Sequence, residues 1–174
     1  MTELGFTILA IIGQQGPLSA YDIRKVFAHS LTPAWSSSPG AVYPSVQRLR
    51  AAGLVTQTRP KGARSRQQLT ITPRGRKALA RWLTELDPEL AAPTPDPIRT
   101  RLYFLGMLDR EQRRQLISDA KRCTQAAIAT AEKRLKQRAA EGVDKLQLLA
   151  AEGVLYELKA RGRWLRSVAG RSVK

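Results

Sequence analysis

The chain has 174 residues, with 30 Lys or Arg against 14 Asp or Glu, a formal net charge of +16. Its 43% apolar content can build a core, yet no window approaches the roughly 20 consecutive apolar residues of a transmembrane helix. Glu3 stands where a secretory signal carries basic residues, and a lone Cys123 with a lone His29 makes neither a disulfide nor a zinc ligand set, so the expectation is a soluble, cytoplasmic protein with no metal and no cofactor.

Leu4, Ile8 and Ile11, with Leu9 and Ile12 beside them, recur at helical spacing, and residues 13–17 stop that helix. Ser19 followed by Asp22 resembles a capping box and opens a short second helix through Tyr21, Ile23, Val26 and Phe27. Residues 32–38 read as a loop. Ser38-Pro39 then sets an N-cap before a proline at the first helical position. The third helix runs to about Ala52, with Val42, Val46 and Leu49 as its buried stripe and Gly53 as its C-cap.

Beyond Gly53 the period changes to two strand-like runs, 54–59 and 66–71, joined by the turn chemistry of 60–63. Thr72-Pro73 repeats the cap-plus-proline signature and starts a fourth helix, with Ala78, Leu79, Trp82 and Leu83 on its apolar side. Four prolines in residues 88–97 end it and predict a linker. A short apolar helix with Leu102, Phe104, Leu105 and Leu108 follows. Asp109 and Gln112 then cap a long helix that can run to Gly142. In the final helix Leu148, Ala151, Leu155, Leu158, Gly162, Leu165 and Ala169 alternate +3 and +4, the spacing of a coiled-coil seam. Helices this long usually bury such stripes against a partner chain, so Leu148, Ala151, Leu155, Leu158 and Leu165 are the expected homodimer interface.

The order helix, helix, helix, hairpin, helix predicts a mainly α fold with a small β-hairpin: a winged helix-turn-helix over 1–87, a Pro-rich linker over 88–97 and a long-helix dimerisation domain over 98–174. The charge supports a nucleic-acid partner. Between Asp22 and Glu85 lie 62 residues with no acid and twelve Lys or Arg. A surface meant only for solubility mixes its signs, so uncompensated positive charge points to a polyanion, nucleic acid first and an anionic membrane surface next. The element order also describes modules that bind protein or RNA, and the coincidence of the acid-free stretch with it favours double-stranded DNA. The third helix fits a major groove, and the basic hairpin residues Lys61, Arg64 and Arg66 fall where a wing reaches phosphate or minor groove. Six basic residues from Lys159 to Lys174 are either a second phosphate contact or a helix end whose cations suit the macrodipole.

Residues 9–22 (LAIIGQQGPLSAYD), 38–54 (SPGAVYPSVQRLRAAGL) and 68–75 (QLTITPRG) resemble the PadR family of bacterial transcriptional regulators. Gly40, Tyr43, Pro44, Arg48, Leu49, Gly53 and Leu54 match its third-helix pattern, and Ile71, Thr72 and Gly75 its closing Ile-Thr-x-x-Gly. Residues 97–108 and the two helices after them are similar to the longer PadR subfamily, whose C-terminal helical domain dimerises. Two departures stand out: Ala20-Tyr21-Asp22 replaces a common Gly-Tyr-Glu, and Leu69 replaces a common tyrosine. The resemblance implies a repressor acting as a homodimer on a pseudo-palindromic operator, released by an aromatic or other apolar small-molecule effector.

Several of the expected DNA-binding residues have a second reading. Tyr43, beside Pro44, aims its hydroxyl at a phosphate or packs in the core. Gly40 and Ala41 let the helix backbone approach DNA, or simply start the helix after Ser38. Gln47 and Arg48 lie at groove-reading depth, where Gln pairs with adenine and Arg with guanine. Tyr21 and Arg24 touch the DNA backbone or are solvated. Trp35, Trp82 and Trp164 line an effector pocket or pack in core and interface. An enzyme lacks support: the sequence has no phosphate-cradling glycine loop, no histidine partnered with a nucleophile and no carboxylate cluster in the acid-free half. A peripheral membrane protein would pair a basic with an apolar helix face, and here the basic stretch is broken by hairpin and caps. The better alternative is a sequence-independent architectural DNA-binding protein, which shares the charge without needing Gln47 and Arg48.

Overall fold

In the computed structural model, which describes residues 1–28, 39–58 and 67–172, the chain divides into two compact units, Met1–Ala92 and Pro93–Lys174. Thr2 caps α1 (Glu3–Gln15) by accepting the Gly5 amide at 3.3 Å, and Glu3 in the first turn suits the positive end of the helix. The capping box of α2 (Ala20–Ala28) forms with an aspartate. Ser19 donates its amide (3.0 Å) and hydroxyl (2.6 Å) to Asp22 Oδ2, and the Asp22 amide donates back to Ser19 Oγ at 3.2 Å. Helix α3 spans Pro39–Ala51 and ends on Gly53, whose φ of +67° is the left-handed C-cap conformation a glycine adopts without a Cβ penalty.

Strands β1 (Val55–Thr58) and β2 (Gln68–Ile71) pair antiparallel with Val55 opposite Ile71 and Thr58 opposite Gln68. Leu18 pairs its backbone with Leu69 on the outer edge of β2. Leu69 itself is 2% exposed, so this departure from the resemblance is a core aliphatic. Thr72 starts α4 (Pro73–Thr84) and ties it to the end of α3: its hydroxyl accepts the Gly75 amide at 2.9 Å and donates to Gly53 O at 2.8 Å. Ile8, Leu9, Ile12, Ile23, Val42, Leu49 and Leu69 form the centre of the core, where α1 packs against α2, α3, α4 and β2. On α4, Ala78, Leu79 and Trp82 are half-buried; Trp82 stacks on Phe6 at 5.3 Å and donates Nε1 to Glu3 Oε2 at 3.2 Å. Leu83, expected on the same apolar face, is 61% exposed, because the stripe against α1 is only three residues wide.

The stretch 88–97 is not uniformly extended: Pro88–Ala91 forms a 3-10 turn before the division at Ala92. In the second unit Asp96 caps α5 (Pro97–Leu102) by accepting the Ile98 and Arg99 amides, and its other oxygen takes Arg161 Nε at 3.0 Å. The expected short apolar helix is thus earlier and shorter. The chain leaves it at Tyr103, makes a second 3-10 turn over Leu105–Met107, and exposes Tyr103, Phe104 and Met107. The capping box of Asp109 and Gln112 opens α6 (Arg110–Ala140), and Gly142, at φ +71°, reverses the chain into α7 (Lys145–Ser172).

That reversal corrects the reading of the seam. Helices α6 and α7 pack on each other within one chain, with Ile117, Ala120, Thr124, Ile128 and Ala131 as the buried row of α6. The seam residues Ala151 and Leu165 are 8% and 0% exposed, and a Cβ on Gly162 would meet Ile128 Cδ1 at 3.5 Å. Lys159 and Glu132 bridge the pair at 2.8 Å. Part of the seam therefore faces α6 rather than a second chain, while Leu148, Leu155 and Leu158 are half-buried. A coiled-coil spacing specifies an apolar stripe without stating whether its partner is on the same chain. Among the described residues no helix is long and apolar enough to cross a membrane.

Candidate nucleic-acid interface

Helix α3 divides along its length into two faces. Val42, Ser45, Val46 and Leu49 point inward and are buried. Opposite them, Gly40, Pro44, Gln47 and Ala51 recur at +4, +3 and +4 and are all exposed. Tyr43, 48% exposed, and Arg50 flank this midline on one side, and Ala41 and Arg48 flank it on the other. Tyr43 is thus on the surface and not in the core. Ala41 is half-buried. Arg48 Nη2 donates to Ser45 Oγ at 3.2 Å, one turn toward the N-terminal end of the helix.

Helix α2 contributes Tyr21, 39% exposed, with Lys25 Nζ 5.0 Å from its ring centroid, and a half-buried Arg24. Asp22 is the one acid between Glu3 and Glu85, and the Ser19 hydroxyl and amide hold it at the helix start. Its carboxylate sits in the first turn of α2, where the positive end of the helix suits it. At the far end of the first unit Arg81 Nε meets Glu85 Oε2 at 2.7 Å, and the Glu85 carboxylate raises the guanidinium pKa further, so this cation is matched. Arg50, Arg74, Arg76 and Lys77 are exposed and make no ion pair among the described residues. Ser38, Lys61, Arg64 and Arg66, together with Trp35, lie outside the described residues.

Two residues were missing from the sequence-derived set. Arg50 lies seven residues beyond Tyr43, and helical spacing alone puts both on one edge. Ser45 offers no such signal, because a serine in an apolar stripe reads as a tolerated small residue until its contact with Arg48 is seen. Trp82, stacked between α1 and α4, is a packing residue, and Trp164 is half-buried on α7. Among the described residues no group of three or more His, Cys, Asp or Glu could hold a metal ion.

The face has a helix of groove-fitting width, small residues for close approach, a hydroxyl and two guanidiniums on its edges, and no carboxylate on its own helix. Hydrogen-bond donors arranged this way suit phosphates and base edges.

Residues 8–81 match the Transcriptional regulator PadR-like family. No curated protein sequence matches the chain. The Bacillus subtilis PadR in complex with operator DNA superposes with a TM-score of 0.81 at 23% identity, over 98% of this chain and 99% of that one. The same Bacillus subtilis protein in complex with p-coumaric acid gives 0.80 at 23% identity, covering 98% and 96%. The Vibrio cholerae virulence activator AphA gives 0.73 at 24% identity, covering 97% of each chain. These likenesses establish the fold, a winged helix followed by long C-terminal helices.

Proposed function

Residues 8–81 are a PadR-like transcriptional regulator domain, and from that premise we propose that the chain is a homodimeric, sequence-specific DNA-binding repressor with a pseudo-palindromic operator. The observation that carries this reading is the open face of α3: exposed Tyr43, Gln47, Arg48 and Arg50 around Gly40 and Pro44, within 62 acid-free residues. Gln47 and Arg48 read base edges, Tyr43 and Arg50 hold phosphates, Tyr21 and Arg24 touch the backbone, and Ser38, Lys61, Arg64 and Arg66 add further contacts. Two such helices fall in successive major grooves about one helical turn apart.

The dimer is formed through the second unit. On α7, Leu146 (74% exposed), Leu149, Gly153, Tyr156 and Ala160 recur at +3, +4, +3 and +4 on the side opposite the buried seam. An apolar row of this length on an otherwise charged helix fits the same row of a second copy, and Gly153, with nothing within 4 Å, allows close approach at its centre. Repression is relieved by an aromatic or other apolar small molecule, in line with the p-coumaric acid bound by the Bacillus subtilis protein.

The test is a titration at one stated salt concentration of a duplex from upstream of the protein's own gene against its scrambled version. Tighter binding of the genuine duplex, by the roughly 10³-fold or more usual for specific sites, is the expected result. Equal affinity would identify an architectural DNA-binding protein instead, and transcription that rises with bound protein would identify an activator.

A further inference from the structure

Ser45 stands in the inward stripe of α3 with Val42, Val46 and Leu49, and is 2% exposed. A hydroxyl there gives up its hydration on folding and is retained at a cost unless it finds a partner. Its partner is the exposed Arg48, whose Nη2 donates to Ser45 Oγ at 3.2 Å. Side chains in helices lean toward the N-terminus, and residues three apart are neighbours, so this bond holds the guanidinium over the turn carrying Pro44 and Ser45, beside the exposed midline. Among the described residues Arg48 makes no ion pair that would draw it elsewhere.

We propose that Ser45 is a positioning residue for base readout: it presents Arg48 to the major groove in a fixed conformation without itself touching DNA. This rests on the base-reading role given to Arg48 above. A free arginine side chain loses much rotamer freedom when it docks on a base, and one already tied at a single donor loses less. Arginine has five N–H donors, so the bond to Ser45 leaves enough for a bidentate contact to guanine O6 and N7. Replacing Ser45 by alanine keeps the apolar stripe intact and removes only the tether.

The experiment uses the full chain, a duplex enriched from a random-sequence pool by the parent protein, and a scrambled duplex, at one salt concentration. Ser45→Ala is expected to weaken the enriched duplex by about three- to tenfold, the range of a single hydrogen bond, with the scrambled duplex and the melting temperature unchanged. Ser45→Thr, which keeps the oxygen, restores discrimination, and Ser45→Ala adds nothing in an Arg48→Ala background. Parent-like affinity for the enriched duplex, an equal loss on both duplexes, or the same loss without Arg48 would overturn the proposal. If Arg48→Ala itself leaves discrimination intact, the base-reading role fails along with the tether, and a pool that enriches no sequence removes sequence-specific binding altogether.

Discussion

Replacing Gly75 with alanine tests the joint between α3 and the rest of its unit. A Cβ at Gly75 would stand 2.1 Å from Leu54 O and 2.9 Å from Ile71 Cγ1, so the carbonyl would have to retreat by nearly an ångström. That carbonyl is not free to move. It accepts the Thr72 amide at 3.0 Å and the Thr72 hydroxyl at 3.2 Å, and the same hydroxyl bonds Gly53 O at the C-cap of α3. Overpacking costs about 1–3 kcal/mol and weakening two hydrogen bonds about 1 kcal/mol each, against a gain of about 1 kcal/mol in helix propensity. The balance is a loss of about 2–4 kcal/mol, or a fall of roughly 10–30 °C in Tm for a unit of this size. Gly162→Ala is the control. It is also a helical glycine in a packed position, but its Cβ would meet Ile128 and Thr124 at the ordinary distances of 3.5 and 3.9 Å, so the substitution should gain up to about 1 kcal/mol. Thermal unfolding followed by far-ultraviolet circular dichroism measures both. A Gly75→Ala protein melting within about 2 °C of its parent, or a Gly162→Ala protein falling as far as Gly75→Ala, would refute the reasoning.

In the proposed dimer Arg50→Ala removes one phosphate contact per protomer, two in all, so the slope of log affinity against log salt should become shallower by about two units on any duplex, measured by titration at several salt concentrations. Leu149→Asp places a charge on the exposed row of α7 and should yield a monomer with its helix content intact in sedimentation and circular dichroism. Leu165→Ala, in a fully buried site, should instead cost about 2–5 kcal/mol of stability. At Asp96, burial pushes the carboxyl pKa up, but the Arg99 and Ile98 amides and the Arg161 guanidinium outweigh it and hold the group below the usual aspartate range. A depressed pKa contributes stability that is present above the unfolded value and lost as pH falls through the folded one, so this contribution fades below about pH 4. Asp96→Asn should therefore be less stable than its parent at pH 7, and the difference should shrink on acidification, as read from urea midpoints at both pH values.

Local chemistry made much of this fold legible in advance. Ser19 with Asp22, Thr72 with Pro73, and Asp109 with Gln112 each join a capping side chain to backbone amides two or three residues away, so those helix starts follow from neighbouring residues alone. The exposed and buried faces of α3 follow from a 3.6-residue period for the same reason, and the acid-free stretch is visible without any geometry. What needed the tertiary structure were contacts between residues far apart in the chain. The 148–169 stripe has a coiled-coil period, but only the reversal at Gly142 shows that Ala151 and Leu165 are buried by α6 of the same chain, leaving the row of Leu146, Leu149 and Tyr156 outside. Leu83 has the right spacing for the core and lies beyond the width of the α1 stripe. The glycine at 75 marks the point where Leu54 O comes closest, and the serine at 45 the point where Arg48 is held; neither neighbour is specified by period or propensity. A periodic pattern states which face of an element is apolar, whereas the identity of what covers that face is decided by how the whole chain closes on itself.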